Sequence, residues 1–143
     1  MSEAGTNLLC FGMGYTARAL AASLDAGRWR TTGTFRDGEA LAGYDGVAFD
    51  DADAVLAEAS HVLVSTPPGE AGDPVLARYA EQLAAHKNLA WVGYLSTTGV
   101  YGDTGGAAVD ESAPCAPTNA RSRWRADAEL AWLALDIPLH IFR

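Results

Sequence analysis

The sequence predicts an α/β protein built on a doubly wound parallel sheet with helices on both faces. Two observations lead to this prediction. Short apolar runs alternate with segments of helical periodicity along the chain, which is typical of stacked βαβ units. The first apolar run also leads through a glycine turn directly into a helix. With 143 residues, 49% of them hydrophobic, the chain has the size of one domain with a full core. We therefore treat residues 1–143 as a single domain.

The first unit is a strand over residues 7–11, a glycine turn and an amphipathic helix. Gly12 permits a tight turn, Gly14 lets backbone N–H groups approach a pyrophosphate at the positive end of the helix, and Ala17 allows close packing. Glycine pairs also mark ordinary strand-to-helix turns, but the strand, turn and helix context favours dinucleotide binding. The predicted cofactor-binding residues of this unit are Gly12, Met13, Gly14, Tyr15, Thr16 and Ala17.

The later elements repeat the alternation of strand and helix. Further strands are predicted at residues 30–35, 47–49, 61–66, 89–95 and 139–142. Asp50 is expected to cap a brief helix that ends at Glu58. Asp73 and Pro74 form a helix start, because a capping side chain precedes a proline at the first helical position. A last helix is predicted at residues 119–135. Its expected buried face consists of Trp124, Ala128, Ala131, Trp132 and Leu135.

Composition limits the kinds of partner. The formal net charge of −8 and the pI of about 4.6 repel nucleic acid and anionic membranes. No apolar run reaches the roughly 18 residues that cross a bilayer, and the first residues lack the pattern of a secretion leader. We therefore expect a cytoplasmic protein with a small-molecule substrate. The spacing of cysteine and histidine indicates no metal site.

Arg36 bears on the choice of cofactor. It ends the second predicted strand, 24 positions after Gly12, near where an acidic residue would bind the ribose hydroxyls of NAD. A guanidinium there suits a 2′-phosphate, which favours NADP over NAD. Asp37 is the competing ribose ligand, and an exposed turn is the alternative role for Arg36.

The end of the fourth predicted strand carries Ser65, Thr66 and Pro67. A dinucleotide that crosses the sheet would pass this point, so these residues are predicted to pack along its adenosine half or the linkage to the nicotinamide. A plain strand-terminating loop is the alternative interpretation. The same segment is also similar to the fourth-strand loop of hydroxyacid dehydrogenases.

The run from Tyr94 to Asp103, with Val100-Tyr101-Gly102 at its centre, resembles the extended short-chain dehydrogenase/reductase superfamily of sugar-nucleotide epimerases and dehydratases. Together with the glycine turn and the spacing of Glu111 and Pro117, the resemblance covers essentially the whole chain. It implies a Rossmann fold. It also places at Thr97 the hydroxyl that binds the reacting oxygen of the substrate, with Ser96 as the neighbouring second choice.

The chain departs from that family at its acid/base residues. Counting forward from Pro117 and back from Glu129 aligns Arg121 and Arg125 with the tyrosine and lysine of the family's catalytic pair. Arginine stays charged and has no acceptor, so Arg121 cannot replace the tyrosine, whereas Arg125 can replace the lysine as a ribose-binding cation. The positive charge concentrated at Arg121, Arg123 and Arg125 could face one anionic group, and a solvated helix face is the alternative interpretation.

The dehydratases of the family carry an Asp-Glu pair after the conserved hydroxyl. This chain has Thr98 and Gly99, which disfavours dehydration. The combination resembles the atypical branch of the superfamily, whose members bind NADP but often lack the complete active-site set.

Two functions remain open from the sequence. One is an NADP-dependent oxidoreductase or epimerase-like enzyme that acts on a small polar or sugar-nucleotide carbonyl or hydroxyl. The other is an NADP-binding regulatory or sensor protein without turnover. We also expect a C-terminal substrate-binding segment beyond these residues, because open α/β sheets bind ligands under loops or a cap. A homodimer is compatible with the sequence.

Other polar residues are expected to be structural. Tyr101 is expected to be mainly positional, and Asp103, Asp110 and Glu111 to form a solvated loop face. His61 and His140 are expected at strand edges of the core, and His86 at a helix end.

Overall fold

The structure, a computed structural model, describes residues 5–36 and 43–143. Asp37, the competing ribose ligand, lies outside the described residues. The strands are β1 (Thr6–Phe11), β2 (Trp29–Phe35), β3 (Asp45–Ala48), β4 (His61–Val64), β5 (Trp91–Leu95) and β6 (Leu139–Phe142). The helices are α1 (Tyr15–Ser23), α2 (Asp53–Glu58), α3 (Pro74–Ala85) and α4 (Ala120–Leu133). This order of elements agrees with the sequence prediction.

All six strands form one parallel sheet in the order β3-β2-β1-β4-β5-β6. In the middle of the sheet, Leu9 of β1 lies between Thr32 of β2 and Val62 of β4. The chain builds outward from β1 in one direction and then continues from β4 in the other. The strand order therefore reverses between β1 and β4, and the carboxyl ends of these strands border the crevice where such sheets bind ligands.

The two faces of β1 belong to two apolar clusters. Leu9 and Phe11 are fully buried in the larger cluster, together with residues of α2, α3 and α4. Leu8 and Cys10 lie on the opposite face against α1, where Ala17 is fully buried. Burial of both faces explains why β1 is a continuous apolar run. The prediction of a doubly wound sheet with helices on both faces is confirmed.

The start of α2 differs from the prediction. Asp50 does not cap this helix, because a short 3₁₀ turn occupies Phe49–Asp51 and α2 begins after Ala52 without a side-chain cap. A tyrosine of α3 fixes this path. The hydroxyl of Tyr79 donates to the carbonyl of Phe49 and accepts the N–H of Ala52 at 3.1 Å. A tertiary contact thus replaces the local cap.

Strand boundaries differ by a few residues from the prediction. β3 is Asp45–Ala48 and not 47–49, β4 ends at Val64 and not at Thr66, and β5 begins at Trp91 and not at Leu89. The side chains of Ser65 and Thr66 leave the strand pattern because they hydrogen bond to the end of β1.

The buried face of α4 also differs from the prediction. Ala128 and Trp132 are buried as predicted, but Ala131 is exposed and Trp124 is only half-buried. Glu129 lies on the buried face, with 2% exposure. An ion pair with Arg143, described below, offsets the cost of burying this carboxylate.

The histidines lie in the expected elements, and none of the three is fully buried. His61 is half-buried between the rings of Trp29 and Trp91, and burial lowers its pKa. His140 is exposed and stacks on Trp91. His86 follows α3, as predicted, and its ring contacts the carbonyl of Leu56 at 2.8 Å.

Within residues 5–36 and 43–143, no helix has the length and apolar character needed to cross a membrane.

Candidate functional site

The glycine turn after β1 has a backbone that only glycine adopts readily. Gly12 has φ of +84°, and its N–H donates to the hydroxyl of Thr34 at 2.9 Å. A Cβ at this position would lie 2.9 Å from the Ser65 hydroxyl oxygen. A glycine is therefore required at position 12, because φ is positive and because Ser65, just after β4, leaves no room for a Cβ. Its own N–H already binds Thr34, so other N–H groups of the turn must contact any ligand.

Ser65 and Thr66 support this turn from β4. The Ser65 hydroxyl donates to the carbonyl of Gly12 at 2.8 Å, and the Thr66 hydroxyl donates to the carbonyl of Phe11 at 3.1 Å. The two side chains predicted to bind the cofactor thus hold the end of β1 against β4. Contact between them and a ligand stays a prediction, and it would use the remaining lone pairs of these hydroxyls.

The N-terminus of α1 offers unfilled donors beside the turn. Gly14 is the N-cap residue and has no side-chain cap, and a Cβ built on it would meet no atom of residues 5–36 and 43–143 within 4 Å. Tyr15 and Thr16 are exposed at the start of the helix, Tyr15 by 92%. The first N–H groups of a helix have no partner inside the helix and favour anions. The turn and the helix start therefore fit a phosphate.

Met13 and Ala17 point away from this opening. Met13 is 6% exposed and Ala17 is fully buried against the sheet. They contribute the backbone of the turn and the close packing of α1 on β1, as the sequence predicts for Ala17.

A cavity of about 510 Å³ lies beside the turn, at the carboxyl ends of β2, β3 and β4. Its lining includes exposed Arg36 at the end of β2, Asp50 after β3, and Thr66 and Pro67 after β4. The cavity places Arg36 and Pro67 around one space, as expected if both contact the same ligand. Their roles as ligand contacts stay predictions.

The segment after β5 forms a 3₁₀ turn over Thr98–Tyr101. The Thr97 oxygen accepts the N–H of Gly99 at 3.1 Å, which leaves its hydroxyl proton available to a substrate oxygen. Gly102 has φ of +74°, and a Cβ there would lie 1.9 Å from the carbonyl oxygen of Ala116. The glycine of the Val-Tyr-Gly motif therefore lets the long loop fold back over the turn.

Ser96 and Thr97 have different surroundings. The Ser96 hydroxyl donates a short hydrogen bond to the buried carboxylate of Glu129 on α4. The same carboxylate accepts two hydrogen bonds from Arg143, at 3.1 Å from Nε and 2.7 Å from Nη2. The proton of Ser96 is thus directed to Glu129. Of the two predicted hydroxyls, Thr97 is the one whose proton has no acceptor in the described part of the chain.

The two arginines of α4 that align with the family's catalytic pair, Arg121 and Arg125, also have different surroundings. Arg125 is half-buried, and its Nη1 donates to the carbonyl of Leu95 at 2.7 Å, two residues before Thr97. The guanidinium also lies 3.4 Å from the hydroxyl of Tyr94, whose burial raises its pKa to about 12. Arg121 is exposed in the first turn of α4. The structure therefore brings Arg125, and not Arg121, against the end of β5.

The other candidate groups lie on the loop and near β6. Tyr101 is buried, and the Arg143 guanidinium lies 5.2 Å from its ring centre, consistent with a positional role. Asp103, Asp110 and Glu111 are exposed, as predicted. Hydrogen bonds from Ser112 lower the pKa of Asp110. In the described part of the chain, no group of three metal-binding side chains occurs.

Three residues that hold the candidate site in place were not identified from the sequence: Thr34, Glu129 and Arg143. Thr34 showed no signal beyond its place at the end of a strand. Glu129 interrupts an apolar helix face between Ala128 and Trp132, and this interruption could have indicated a buried partner. The partner itself, Arg143, follows β6 and becomes a neighbour only when the sheet forms.

Comparison with solved structures relates this geometry to known proteins. A functionally unknown conserved protein from Silicibacter pomeroyi is 46% identical, with a TM-score of 0.90 over 96% of this chain and 51% of that chain. UDP-glucuronic acid 4-epimerase from Bacillus cereus, solved in complex with NAD, is 19% identical, with a TM-score of 0.70 over 96% of this chain and 56% of the enzyme. A short-chain dehydrogenase/reductase superfamily protein from Agrobacterium tumefaciens, solved with bound NAD, is 17% identical, with a TM-score of 0.66 over 96% and 48%.

No family model and no curated protein matches the chain. The chain spans about half the length of the solved structures that it matches. The strand order, the glycine turn and these structural matches agree with the family that the motifs resemble. This protein has a Rossmann fold, which it shares with these solved structures.

Proposed function

We propose that the protein binds a nicotinamide dinucleotide, NADP in preference to NAD, at the crevice between β1 and β4. The observation that carries the proposal is the geometry at the start of α1. The first N–H groups of this helix have no side-chain cap, and the Cβ position of Gly14 is open among the described residues. The Ser65 hydroxyl holds the preceding turn through its hydrogen bond to the carbonyl of Gly12. The N–H donors at the helix start fit a pyrophosphate in charge and geometry. NAD in the matched enzymes from Bacillus cereus and Agrobacterium tumefaciens supports the same class of cofactor.

Arg36 supports NADP as the preferred form. Its exposed side chain lines the cavity at the carboxyl ends of β2, β3 and β4. Arg36 itself follows β2, which is separated from β4 by β1. A guanidinium forms charge-assisted hydrogen bonds with a phosphate and gains less from neutral ribose hydroxyls.

The proposed activity is that of an oxidoreductase or epimerase-like enzyme acting on the carbonyl or hydroxyl of a small polar substrate, such as a sugar nucleotide. A bound nicotinamide supplies hydride chemistry. From this chain, Thr97 donates a hydrogen bond to the substrate oxygen, and Arg125 holds a ribose near the end of β5. Arg121 is exposed and can bind an anionic part of the substrate.

A second candidate is a cofactor-binding sensor without turnover. Arginines occupy both positions of the family's tyrosine and lysine, and an arginine cannot serve as a proton donor near neutral pH. Tyr94, which lies beside Arg125, is fully buried, and burial raises its pKa to about 12. Neither group offers an accessible acid to a carbonyl substrate.

Fluorescence titration with NADPH and NADH tests the cofactor assignment. We expect tighter binding of NADPH, and we expect Arg36→Gln to weaken NADPH about tenfold while NADH changes little, because one charged phosphate contact is lost. The matched control is Arg30→Gln on the same strand, where the arginine pairs with Asp45 at 3.4 Å. Equal affinities of the native protein for both cofactors would contradict the assignment.

The absorbance of NADPH separates the enzyme from the sensor. Full-length protein mixed with NADPH and a panel of carbonyl compounds, sugar nucleotides included, should consume NADPH if it is an oxidoreductase. An epimerase returns its hydride, so product isomers must be followed by NMR in the same mixtures. Firm binding with neither oxidation nor isomerisation supports the sensor.

A further inference from the structure

We propose that Arg18 is a second determinant of NADP preference and that it binds the 2′-phosphate together with Arg36. The inference rests on the proposed function, because it concerns the same cofactor site. The sequence analysis did not single out Arg18, which lies one turn into α1 and is exposed.

The guanidinium of Arg18 is anchored to the glycine turn. Its Nε donates to the carbonyl of Met13 at 2.8 Å, so the side chain folds back toward the start of its own helix. This contact uses one nitrogen and leaves the two terminal nitrogens of the guanidinium as donors. A long side chain held at its head group loses less conformational entropy when it binds a ligand.

A second contact sets the direction of the side chain. The guanidinium carbon lies 6.0 Å from the ring centre of Tyr44, which directly precedes β3. Because β3 lies beyond β2 at the edge of the sheet, Arg18 leans toward β2 and β3 and away from β4. Arg36, which lines the cavity of about 510 Å³, follows β2 and so lies toward the same edge.

This direction distinguishes the 2′-phosphate from the pyrophosphate. The pyrophosphate binds at the turn itself, and the nicotinamide half continues past β4. The adenosine ribose binds at the end of β2, on the side to which Arg18 leans. A cation on that side is therefore placed for the phosphate that distinguishes NADP from NAD.

The charges of both arginines are free for this role within residues 5–36 and 43–143. The ion pairs found there involve Arg30, Arg78 and Arg143. Because the chain carries a net charge of −8, a local pair of cations is needed to offset the repulsion of a phosphate dianion.

The test compares NADPH and NADH affinities of the native protein with those of Arg18→Gln, Arg36→Gln and the double variant. We expect Arg18→Gln to weaken NADPH about tenfold and to leave NADH within about twofold, since one charge-assisted contact is removed. The double variant should bind the two cofactors about equally. The control is Arg28→Gln, which removes the same charge from an exposed site just before β2, at the amino ends of the strands and away from the crevice.

The outcomes separate the two proposals. An equal loss for NADH and NADPH would place Arg18 at the pyrophosphate, and an unchanged NADPH affinity would remove it from the site; either result overturns the inference. If the native protein binds neither cofactor, the proposed function itself fails. Thermal unfolding of each variant by circular dichroism checks that the exposed substitutions leave the fold intact.

Discussion

At the scale of single residues, the two glycines of the turn have different physical roles. Gly12 is fixed by its φ of +84° and by the Ser65 hydroxyl, which would lie 2.9 Å from an added Cβ. Gly14 has φ of −81°, and the space at its Cβ position is open. One glycine therefore serves the fold, and the other serves the approach of a ligand.

Alanine substitutions should separate these roles. Gly12→Ala is expected to lower the free energy of unfolding by about 1–3 kcal/mol, from backbone strain and crowding. Gly14→Ala is expected to change it by less than about 1 kcal/mol, because a weaker N-cap is offset by a less flexible unfolded chain. It should still weaken NADPH binding, since the methyl group enters the proposed phosphate space. Urea unfolding and fluorescence titration measure the two effects. Native NADPH affinity in Gly14→Ala would argue against the proposed contact.

At the scale of elements, Asp73 links two helices on one face of the sheet. One carboxylate oxygen caps α3 by accepting the N–H groups of Val75 and Leu76, at 2.9 and 3.1 Å. The other oxygen accepts the indole N–H of Trp132 on α4, at 3.0 Å. Asp73 is 7% exposed and Trp132 is fully buried. One side chain thus provides a local cap and a tertiary contact.

We expect Asp73→Ala to lower the free energy of unfolding by about 2–4 kcal/mol, from the lost cap and an unpaired buried N–H. In a Trp132→Phe background, which has no indole N–H, the same substitution should cost less by about 1 kcal/mol or more. Urea unfolding of the four proteins in this cycle measures the coupling. Additive effects would show that the indole contact contributes nothing.

At the scale of the whole molecule, the described residues form a crevice for the proposed cofactor, and the long loop that follows β5 is largely exposed. The loop residues Asp103, Asp110 and Glu111 are exposed, and the matched solved structures are about twice as long as this chain. We expect the 143-residue chain to bind NADPH without oxidising it in the presence of carbonyl compounds, because a substrate needs enclosing walls. Steady NADPH absorbance, with binding shown by fluorescence, is the expected result. Oxidation would show that these residues already form a complete active site.

The sequence by itself determined the alternation of strands and helices, the parallel sheet, the glycine turn and the cap of α3 at Asp73. These features depend on local properties, such as apolar periodicity, the conformational freedom of glycine and the fixed φ of proline, so neighbouring residues are sufficient to reveal them. The Val-Tyr-Gly motif after β5 likewise carried the family resemblance from the sequence alone.

Only the tertiary structure decided how the hydroxyls and charges pair. Ser65 turned out to brace the end of β1, Ser96 to bind Glu129, and Tyr79 to replace the predicted cap at Asp50. Each of these contacts joins residues at least 27 positions apart. Their energies depend on distance and burial in the folded chain, and no local pattern of residues encodes those two quantities.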